Sequence, residues 1–487
     1  MKFRTLFYIP FKMYMFSVIA AALLFSTSCS KSSGSVTNTT TTPLSSAKDI
    51  TAFSFLKTAN TIPVDATAVI SGTAISIFLP PGTDKTTLKP NFSTSDKSSV
   101  SVNGAAQVSG TTKNNFSSPI VYDVKAEDGS KKSYTVTLIT DIATIDQVVA
   151  SFMSTYSVPG LSLAITKDEN LVYVKAYGKA DDAQNATTQN LYRLASVSKQ
   201  LTSIAIMKLM DQGKITLDQK VFGAGGILGT DYGTTPYSAN ITSITVSQLL
   251  HHTAGGWPND GTDPMFTNPT MTAGQLITWT LNNRPLTTTP GSTYAYSNFG
   301  YCILGRVIEK ITGTTYAAAV QSLVLQPSGV TDMAISGNTL ADRITNEVKY
   351  YGQGGENPYI YNITRMDSHG GWLGSATDLA RVLVHVDGFA GKADILTANA
   401  LTVMTTPSAA NANYACGWSV NSANNWWHQG SLPGTASEQA RTVSNGKYNF
   451  VILINTRSLS ANFSGDLDNL FWTALANTTA FPAYDLF

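Results

Sequence analysis

The spacing of apolar residues changes near residue 141, and this change does most to limit the folds open to the chain. Between about residues 47 and 140, apolar and polar residues alternate in short runs, including Ile50–Leu56 and Tyr134–Ile139. This alternation is typical of β-strands. Asp128-Gly129 separates the run Tyr134–Ile139 from the run before it and predicts a hairpin turn between them. Beyond residue 141, segments with a helical period appear among the strands. Because 487 residues are too many for one compact core, we predict an all-β domain over 47–140 and an α/β domain over 141–487.

Strand-like segments lie at both ends of the predicted α/β domain. A helical period over 142–156 is followed by two strand-like runs, Leu161–Thr166 and Leu171–Tyr177. Two further runs, Ala436–Arg441 and Tyr448–Ile454, lie near the C-terminal end, and the stretch between the two pairs is rich in helical patterns. We therefore expect one antiparallel sheet built from both ends of the domain, flanked by helices and covered by a helical region.

The N-terminal segment has the features of an export signal. Lys2 and Arg4 precede the apolar run Met13–Phe25, which is shorter than the roughly 20 residues that span a bilayer. The end of this run, Leu24-Phe-Ser-Thr-Ser-Cys29, resembles a bacterial lipobox. The resemblance implies a signal peptide over 1–28 and a membrane anchor through a lipid on Cys29. A plain secretory signal cut near Ser28, or a short membrane anchor, fits the same residues.

This lipobox resemblance also implies a location in the bacterial cell envelope, on the outer membrane at its periplasmic side or at the cell surface. Residues 29–46 are rich in Ser and Thr and cannot bury enough apolar area to fold, so we predict a flexible tether. The β-rich segment 47–140 resembles the immunoglobulin-like sandwich modules that follow such tethers in many bacterial surface lipoproteins. Its role is open between a spacer and weak binding of glycan or protein.

Composition excludes several classes of partner. The formal net charge is +1, and no basic stripe with interleaved aromatic residues predicts a nucleic-acid partner. No spacing of Cys and His residues suggests a metal site, and no cofactor is expected. Cys302 and Cys416 lie in apolar stretches, which favours buried thiols over a disulfide.

The first candidate for chemistry is the motif Ser-x-x-Lys at Ser196-Val-Ser-Lys199. The spacing alone is weak evidence, because it recurs elsewhere, for example at Ser444 and Lys447. Ser196, however, opens an apolar helical segment, where a hydroxyl lies among unpaired N–H groups. Lys199 lies one turn later on the same helix face, and burial there lowers the pKa of a lysine so that it can accept a proton. A capping serine with a lysine that reaches solvent fits this motif equally well.

A second motif, Tyr296-Ser-Asn298, is the only Tyr-x-Asn spacing in the chain. A tyrosine beside a lysine ammonium has its phenolate favoured, so Tyr296 is a candidate base toward a serine hydroxyl. Asn298 can offer its amide to Lys199 or to a substrate carbonyl. An isolated polar and aromatic loop of this kind is usually structural, but this one follows the serine motif along the chain.

A third motif is His428-Gln-Gly430, followed by Ser431. Because it precedes the C-terminal strands, we expect it on an edge strand that faces a cleft. Gly430 would let a substrate backbone approach closely. The N–H of Ser431 would pair with that of Ser196 to form an oxyanion hole.

In this order, Ser196-x-x-Lys199, Tyr296-x-Asn298 and His428-x-Gly430 resemble the motifs of class C β-lactamase-like serine hydrolases, over roughly residues 142–487. That group includes β-lactamases, DD-peptidases, D-amino-acid peptidases and esterases. The resemblance implies that Ser196 is acylated, that Lys199 and Tyr296 move the protons, and that no metal or cofactor is required. It also covers Gln248–Gly255 and Gly370–Arg381, two stretches that look like recurring loops of the family.

One departure concerns the substrate. Many β-lactamases have Lys-Thr-Gly where this chain has His428-Gln-Gly430, and a histidine recognises a carboxylate only when it is protonated. This weakens an antibiotic-hydrolase function without excluding peptides, so D-peptides of the cell wall, β-lactams and small esters all stay open as small-molecule or peptide substrates. Trp426 and Trp427 could form a platform for an acyl group or a sugar, or pack in the core.

Two other functions compete with the hydrolase. A catalytically retired scaffold could act as a cell-envelope binding protein, with the β-rich module as its working part, although the retained Ser196, Lys199 and Tyr296 argue against it. A carbohydrate-active enzyme would need a pair of flanking carboxylates, which the sequence does not show.

Overall fold

The computed structural model describes residues 42–444, 446–478 and 480–487. The predicted signal peptide and the lipidation candidate Cys29 lie outside this range, as does most of the predicted tether. In the described ranges, no helix has both the length and the apolar character needed to cross a bilayer.

Residues 50–139 form two β-sheets without a helix. The strands are β1 (Ile50–Phe55), β2 (Ala66–Thr67), β3 (Val69–Ser71), β4 (Ala74–Phe78), β5 (Asn91–Thr94), β6 (Ser99–Val102), β7 (Ala105–Ala106), β8 (Ile120–Lys125) and β9 (Lys131–Ile139). One sheet has the order β2-β1-β5 and the other β3-β4-β9-β8-β6-β7. Strands β8 and β9 form the predicted antiparallel hairpin around Asp128-Gly129. The prediction of a β-rich N-terminal region is thus confirmed.

Both sheets contribute to one apolar core. Phe53 and Phe55 from β1 pack with Ile75 and Ile77 from β4 and with Tyr122 from β8. Alternate residues point inward in β4, β6 and β8, as the period of a β-strand requires. Phe53 and Tyr122 meet edge to face, with their ring centroids 5.4 Å apart.

The remaining residues form an α/β domain. Its strands are β10 (Gly160–Lys167), β11 (Asn170–Gly178), β12 (Tyr192–Arg193), β13 (Ala334–Ile335), β14 (Trp372–Gly374), β15 (Ser419–Val420), β16 (Trp426–Leu432), β17 (Thr435–Thr442) and β18 (Tyr448–Ile454). Its helices are α1 (Ala143–Thr155), α2 (Ser198–Asp211), α3 (Ala239–Ser243), α4 (Val246–Leu250), α5 (Pro264–Thr267), α6 (Ala273–Asn283), α7 (Asn298–Thr312), α8 (Tyr316–Val320), α9 (Ala376–Leu383), α10 (Ala398–Thr405) and α11 (Phe463–Ala476). Strands β12, β13 and β14 form a small separate sheet.

The main sheet has the order β11-β10-β18-β17-β16-β15, and all neighbours are antiparallel. Strand β10 pairs with β18, and Leu161 lies opposite Ile454. The first and last parts of the domain therefore share one sheet, as the sequence predicted.

Helices cover both faces of this sheet. On β18, Phe450 and Ile452 pack toward α1 and α11, whereas Val451 and Leu453 pack toward the helical region that contains α2 and α7. A strand buried on both faces is nearly continuously apolar, and β18, with the sequence Tyr-Asn-Phe-Val-Ile-Leu-Ile, has Asn449 as its one amide side chain. The large helical region lies over the β16 side of the sheet, where the third sequence motif is found.

Candidate active site

Ser196 lies on a tight turn between strand β12 and helix α2. The turn Ala195–Val197 is a short 3₁₀ segment that leads directly into the helix. Ala195 has φ +47°, in the left-handed region that a residue with a Cβ rarely adopts, and such backbone strain is common at functional sites. The bend leaves Ser196 half-buried while its neighbours are buried.

Lys199 is fully buried one turn along α2, with three oxygen atoms around its amine. Its Nζ is 3.1 Å from Ser196 Oγ, 2.7 Å from Asn298 Oδ1 and 2.9 Å from the carbonyl oxygen of His369. Burial lowers the pKa of Lys199 well below its usual value, and the nearby Asp263 opposes this shift only in part. A neutral amine has two N–H donors and one lone pair. With its N–H groups donated to Asn298 and His369, the lone pair is left for the Ser196 hydroxyl.

Asn298 is held by a second layer of polar groups that the sequence did not reveal. Its Nδ2 donates to Asn259 Oδ1 at 3.0 Å and to Asp263 Oδ2 at 2.9 Å. Asp263 is completely buried, and its burial raises the pKa of the carboxyl to about 6. Of the two uses predicted for the Asn298 amide, the structure shows the bond to Lys199.

Tyr296 contacts the same lysine through its ring. Lys199 Nζ is 4.7 Å from the ring centroid, and the ring packs against His252 with the centroids 4.2 Å apart. The hydroxyl oxygen is buried and makes no hydrogen bond of normal geometry with a described residue. Burial raises the pKa of Tyr296 more than the nearby Ser196 hydroxyl lowers it. In the resting site the environment therefore favours the neutral phenol over the phenolate.

His428 lies at the end of a chain of hydrogen bonds with a defined direction. The Ser297 N–H donates to His252 Nδ1 at 3.0 Å, and His252 Nε2 is 3.2 Å from Tyr414 Oη. Tyr414 Oη is 3.0 Å from His428 Nε2, and His428 Nδ1 is 2.6 Å from the carbonyl oxygen of Gln429. One assignment satisfies every atom: His252 donates to Tyr414, Tyr414 donates to His428, and His428 donates to Gln429.

In this assignment both histidines are neutral. Burial, with a contribution from Lys199, lowers the pKa of His428 to about 3, and it lowers the pKa of His252 well below its usual value. Since both ring nitrogens of His428 are bound within the protein, the side chain offers a substrate neither a charge nor a free N–H group.

Gly430 lies against the turn that carries the nucleophile candidate. A Cβ at this position would overlap the carbonyl oxygen of Leu194 and the hydroxyl of Ser437, and it would lie 3.0 Å from the Ser196 nitrogen. The close approach at Gly430 is therefore that of the Leu194–Ser196 backbone, which packs directly on β16. The absence of a side chain there brings β16 and the N–H of Ser196 together.

Ser431 follows on the exposed end of β16. Strand β15 pairs with β16 only at Trp426 and Trp427, so the edge of β16 from His428 onward is unpaired on that side, much as predicted. Arg457 Nη1 donates to Ser431 Oγ at 3.2 Å. The same guanidinium binds Glu356 through Nε, which is 2.9 Å from Oε2, and through Nη2, which contacts Oε1.

Ser196 is shared by two cavities. The first, of about 180 Å³, is termed here the Tyr361 cavity and includes Asn259, Phe266, Tyr361, Met366 and Arg457. The second, of about 250 Å³, is termed the Phe463 cavity and includes Tyr296, His428, Gly430, Phe463 and Leu467. Asn259 and Ser431 line both cavities. A carbonyl at Ser196 would thus have one substituent in each cavity.

Trp426 and Trp427 line neither cavity. They line a separate small cavity together with Phe450 and Trp472. Trp426 is buried against Trp418, and the Arg441 guanidinium lies 4.1 Å from its ring centroid. Of the two roles considered for this pair, the structure shows packing.

Residues 145–475 match the family model described as Beta-lactamase. The match covers more than half of the chain. The chain belongs to the beta-lactamase family. It is a serine hydrolase of the superfamily that contains β-lactamases and penicillin-binding proteins. Within its described residues, this beta-lactamase family chain has no group of three or more His, Cys, Asp or Glu side chains that could hold a metal ion.

Curated relatives of this beta-lactamase family domain include two enterobacterial proteins. A putative D-alanyl-D-alanine carboxypeptidase of Escherichia coli (strain K12) is 28% identical over 303 residues, which are 54% of this chain and 68% of that protein. The protein of the same description from Salmonella typhimurium (strain LT2) is 26% identical over 306 residues, with the same coverage of both chains.

Solved structures share the fold. The D-amino acid amidase from Ochrobactrum anthropi SV3 superposes with a TM-score of 0.57 at 20% identity, covering 69% of this chain and 99% of that chain. The octameric penicillin-binding protein homologue from Pyrococcus abyssi gives a TM-score of 0.55 at 22% identity, covering 69% and 78%. These likenesses confirm the predicted α/β fold. Separately, residues 50–138 match a family model described as SGBP, N-terminal.

Several residues of the site in this beta-lactamase family domain were missed from the sequence. Asn259 and Asp263 lie in a loop without a recognisable spacing, and Tyr414 and Arg457 lie far along the chain from the motifs they contact. His252, in the family-like stretch Gln248–Gly255, packs against the Tyr296 ring and is hydrogen-bonded to Tyr414. Cys302 and Cys416 are buried free thiols, as predicted.

Proposed function

We propose that Ser196 is the nucleophile of this hydrolase, that Lys199 is its general base and that Tyr296 delivers the proton to the leaving group. The observation that carries this proposal is the arrangement around Lys199. In its neutral form the buried amine donates its two N–H groups to Asn298 and His369, and its lone pair can then accept the proton of Ser196 Oγ, which is 3.1 Å away. Asn298 is then a positioning residue, because it orients Lys199.

In the proposed acylation, Ser196 Oγ forms a bond to the substrate carbonyl carbon while its proton passes to Lys199 Nζ. The tetrahedral oxyanion is stabilised by the backbone N–H groups of Ser196 and Ser431, which Gly430 brings close together. Removal of one donor from such a hole typically lowers the rate by about 10²–10³-fold. The bond to the leaving nitrogen or oxygen then breaks, the leaving atom takes a proton from the Tyr296 hydroxyl, and Lys199 returns the proton to Tyr296.

Water resolves the acyl-enzyme by the reverse sequence. A water molecule loses a proton to the same groups, its oxygen attacks the ester carbon, and Ser196 Oγ recovers a proton as it leaves. An acceptor amine in place of water would give acyl transfer. No metal or cofactor takes part in these steps.

We further propose that the substrates are amides of D-amino acids or short D-peptides, with small esters and β-lactams as other members of the same reactive class. The relatives support this choice, because they are described as a D-alanyl-D-alanine carboxypeptidase and a D-amino acid amidase. The two cavities beside Ser196, a largely polar one of about 180 Å³ and a more apolar one of about 250 Å³, fit small amino-acid or acyl groups. In this scheme His428 lines the substrate site as an uncharged side chain.

For the rest of the chain we propose the following organisation. Residues 1–28 are a lipoprotein signal, Cys29 carries the lipid, and 29–46 are a tether. Residues 47–140 are an immunoglobulin-like module, and 141–487 are the hydrolase. The two facing sheets with one shared core support a sandwich. The carboxypeptidase description of the relatives supports a place in the cell envelope, with the lipid holding the protein to the outer membrane.

A second candidate function is binding in the cell envelope by the N-terminal module. The observation that favours it is the match of residues 50–138 to the model described as SGBP, N-terminal. This function is compatible with an active hydrolase domain, and it becomes the main one if that domain is inactive.

The test is the intact mass of the full mature chain after incubation with a fluorophosphonate and, separately, with a penicillin. We expect a single adduct that is absent in Ser196→Ala. Ser198→Ala is the matched control, because it removes a neighbouring hydroxyl that only accepts a bond from the Trp372 N–H, and it should keep the adduct. Adducts with both reagents would indicate a penicillin-recognising peptidase, and a fluorophosphonate adduct alone would indicate an amidase or esterase. Folded wild-type protein without any adduct would contradict the hydrolase and favour the binding function.

A further inference from the structure

The two cavities at Ser196 differ in what they can hold, and the position of Tyr296 distinguishes them. A group that protonates the leaving atom must lie on the leaving side of the scissile bond. Tyr296 lines the Phe463 cavity and does not line the Tyr361 cavity. The Phe463 cavity is therefore the leaving-group side, and the Tyr361 cavity holds the acyl side.

The Phe463 cavity has no charged side chain in the described part of the chain. Its apolar wall consists of Phe463, Leu467 and Ala436, and its polar residues are neutral. Ser464 and Gln429 at its rim are hydrogen-bonded to each other. Nothing in this lining compensates the charge of a carboxylate, whose transfer from water into such surroundings is costly.

His428 does not supply the missing charge. Its Nε2 accepts from Tyr414 and its Nδ1 donates to the Gln429 carbonyl, so a substrate would have to break an internal hydrogen bond to reach either nitrogen. Protonation of His428 would turn Nε2 into a donor, and the Tyr414 hydroxyl would then lose the acceptor for its own proton. The chain of bonds therefore favours the neutral ring.

Arg457 is the cation that lies nearest to Ser431, and it is already paired. Its guanidinium binds both carboxylate oxygens of Glu356, and this pair is mostly shielded from solvent, with 24% and 17% of the two side chains exposed. A carboxylate that bound Arg457 would have to displace Glu356. Arg457 also lines the Tyr361 cavity, on the acyl side.

We infer that this enzyme selects substrates whose leaving group is uncharged and largely apolar, and that it discriminates against a leaving group that bears a free carboxylate. The inference rests on the acyl-enzyme chemistry proposed above. Within the proposed substrates it favours amides, esters and internal peptide bonds. It makes poor substrates of carboxypeptidase peptides, whose leaving group is a free amino acid, and of penicillins, which carry a carboxylate beside the leaving nitrogen.

The experiment compares two chromogenic anilides of D-alanine, the 4-nitroanilide and the 3-carboxy-4-nitroanilide. Their acyl groups are identical, and their leaving groups differ by one carboxylate. With the full mature chain we expect kcat/KM for the uncharged anilide to be at least 10-fold higher. Two variants add a cation to the leaving-group side: His428→Lys, and Ser464→Lys at the exposed rim of the cavity. Each should reduce the ratio of the two kcat/KM values several-fold.

Ser464→Lys keeps the test decisive if His428→Lys disturbs folding, because Ser464 is exposed and lies outside the chain of hydrogen bonds at His428. Lys57→Ser in the N-terminal module, which alters charge far from Ser196 in sequence, should leave the ratio unchanged. Equal rates for the two anilides, or a preference for the carboxylated one, would overturn the inference while leaving the hydrolase intact. Absence of turnover of both anilides together with absence of a Ser196 adduct would overturn the hydrolase and the inference with it.

Discussion

At the scale of single residues, the chemistry of the site depends on the balance of charge around Lys199. Burial favours its neutral amine, and the carboxyl of Asp263 is the charge that opposes this shift. Asp263 is itself buried, and its Oδ2 accepts from Asn298 rather than from Lys199. The carboxyl therefore acts on the lysine both through its charge and through the orientation of Asn298.

Replacement of Asp263 by Asn separates these two effects. Loss of the carboxylate removes the interaction that favours the Lys199 ammonium, so the pKa of the lysine falls further and the amine stays neutral to lower pH. In a plot of kcat/KM against pH, the acid limb reports the pKa of the general base in the free enzyme. We expect this limb to move to lower pH, as measured on a neutral amide substrate.

Asp260→Asn is the matched control for Asp263→Asn. Asp260 lies in the same loop, is exposed and binds Thr262, so the acid limb should stay in place. A uniform fall in kcat/KM for Asp263→Asn without movement of the limb would show that Asp263 acts only by orienting Asn298.

At the scale of elements, the site depends on the contact between strand β16 and the turn that precedes α2. Gly430→Ala places a Cβ against the Leu194 carbonyl oxygen and the Ser437 hydroxyl. Relief of that overlap must move either the strand or the turn that carries Ser196, at a cost of about 1–3 kcal/mol. We expect a Tm lowered by several degrees and kcat/KM lowered by about 10²-fold, since one oxyanion donor is displaced.

Gly465→Ala serves as the comparison for Gly430→Ala. Gly465 lies in α11 with open space around its Cα, and alanine is favoured over glycine inside a helix by about 0.5–1 kcal/mol. Its Tm should be equal or slightly raised. A Gly430→Ala variant with the Tm and activity of the wild type would contradict the packing described for β16.

Local patterns predicted the elements well but not the contacts between them. The apolar run Tyr448–Ile454 and the apolar segment after Ser196 correspond to β18 and α2, because a short apolar run suits a strand buried on both faces and a longer one suits a buried helix. The strained Ala195 has no such signature, since its φ is imposed by the packing of β12, β16 and α2. The contact of Lys199 Nζ with the Tyr296 ring, 4.7 Å from its centroid, and the burial of the phenol hydroxyl are likewise set by tertiary packing and have no counterpart in the motif spacing.

The same limitation applies to the second layer of the site. Ser196, Lys199, Tyr296 and His428 could be proposed from motif order, and the structure brings them around two adjoining cavities. The loop that carries Asn259 and Asp263 reaches the site through tertiary packing. Its sequence has no period or motif spacing from which its place beside Lys199 could be predicted. The neutrality of His428 likewise depends on Tyr414 and on the Gln429 carbonyl, which only the folded chain places beside it.

At the scale of the whole molecule, the buried carboxyls make stability depend on pH. Asp387 is completely buried, and its oxygens accept from the Phe389 N–H at 2.8 Å and from Asn449 Nδ2 at 2.7 Å. Burial raises the pKa of Asp387 from 3.8 to about 7. The pKa of Asp387 is higher in the folded state than in the unfolded state. Its ionisation therefore lowers the stability of the folded protein as the pH rises from about 4 to about 7.

Asp387→Asn should remove that loss. We expect the free energy of unfolding of the hydrolase domain to exceed that of the wild type at pH 8, by on the order of 2–4 kcal/mol, with little difference at pH 4. The amide can be accommodated, because the Asn449 Oδ1 lacks a partner at present and can accept from it after rotation. Calorimetry of the full chain is the measurement, and the transition of the N-terminal module, which has its own core, should not move.

The exposed Asp332 provides the control, since Asp332→Asn removes a carboxyl that is not buried. It should unfold as the wild type does at both pH values. If Asp387→Asn and the wild type lose stability equally between pH 4 and pH 8, other buried carboxyls, such as Asp263, account for the dependence.

The pairing of β10 with β18 has a consequence for the order of events during synthesis. The segment that carries Ser196 and Lys199 leaves the ribosome long before Ser431 and β18 exist, and the central strand of the sheet is among the last to appear. Contacts so distant along the chain form slowly, because a long loop must close before they contribute. The nascent chain thus carries its serine and lysine without an oxyanion hole, and we expect it to stay inert toward acyl compounds until the domain has been completed and folded.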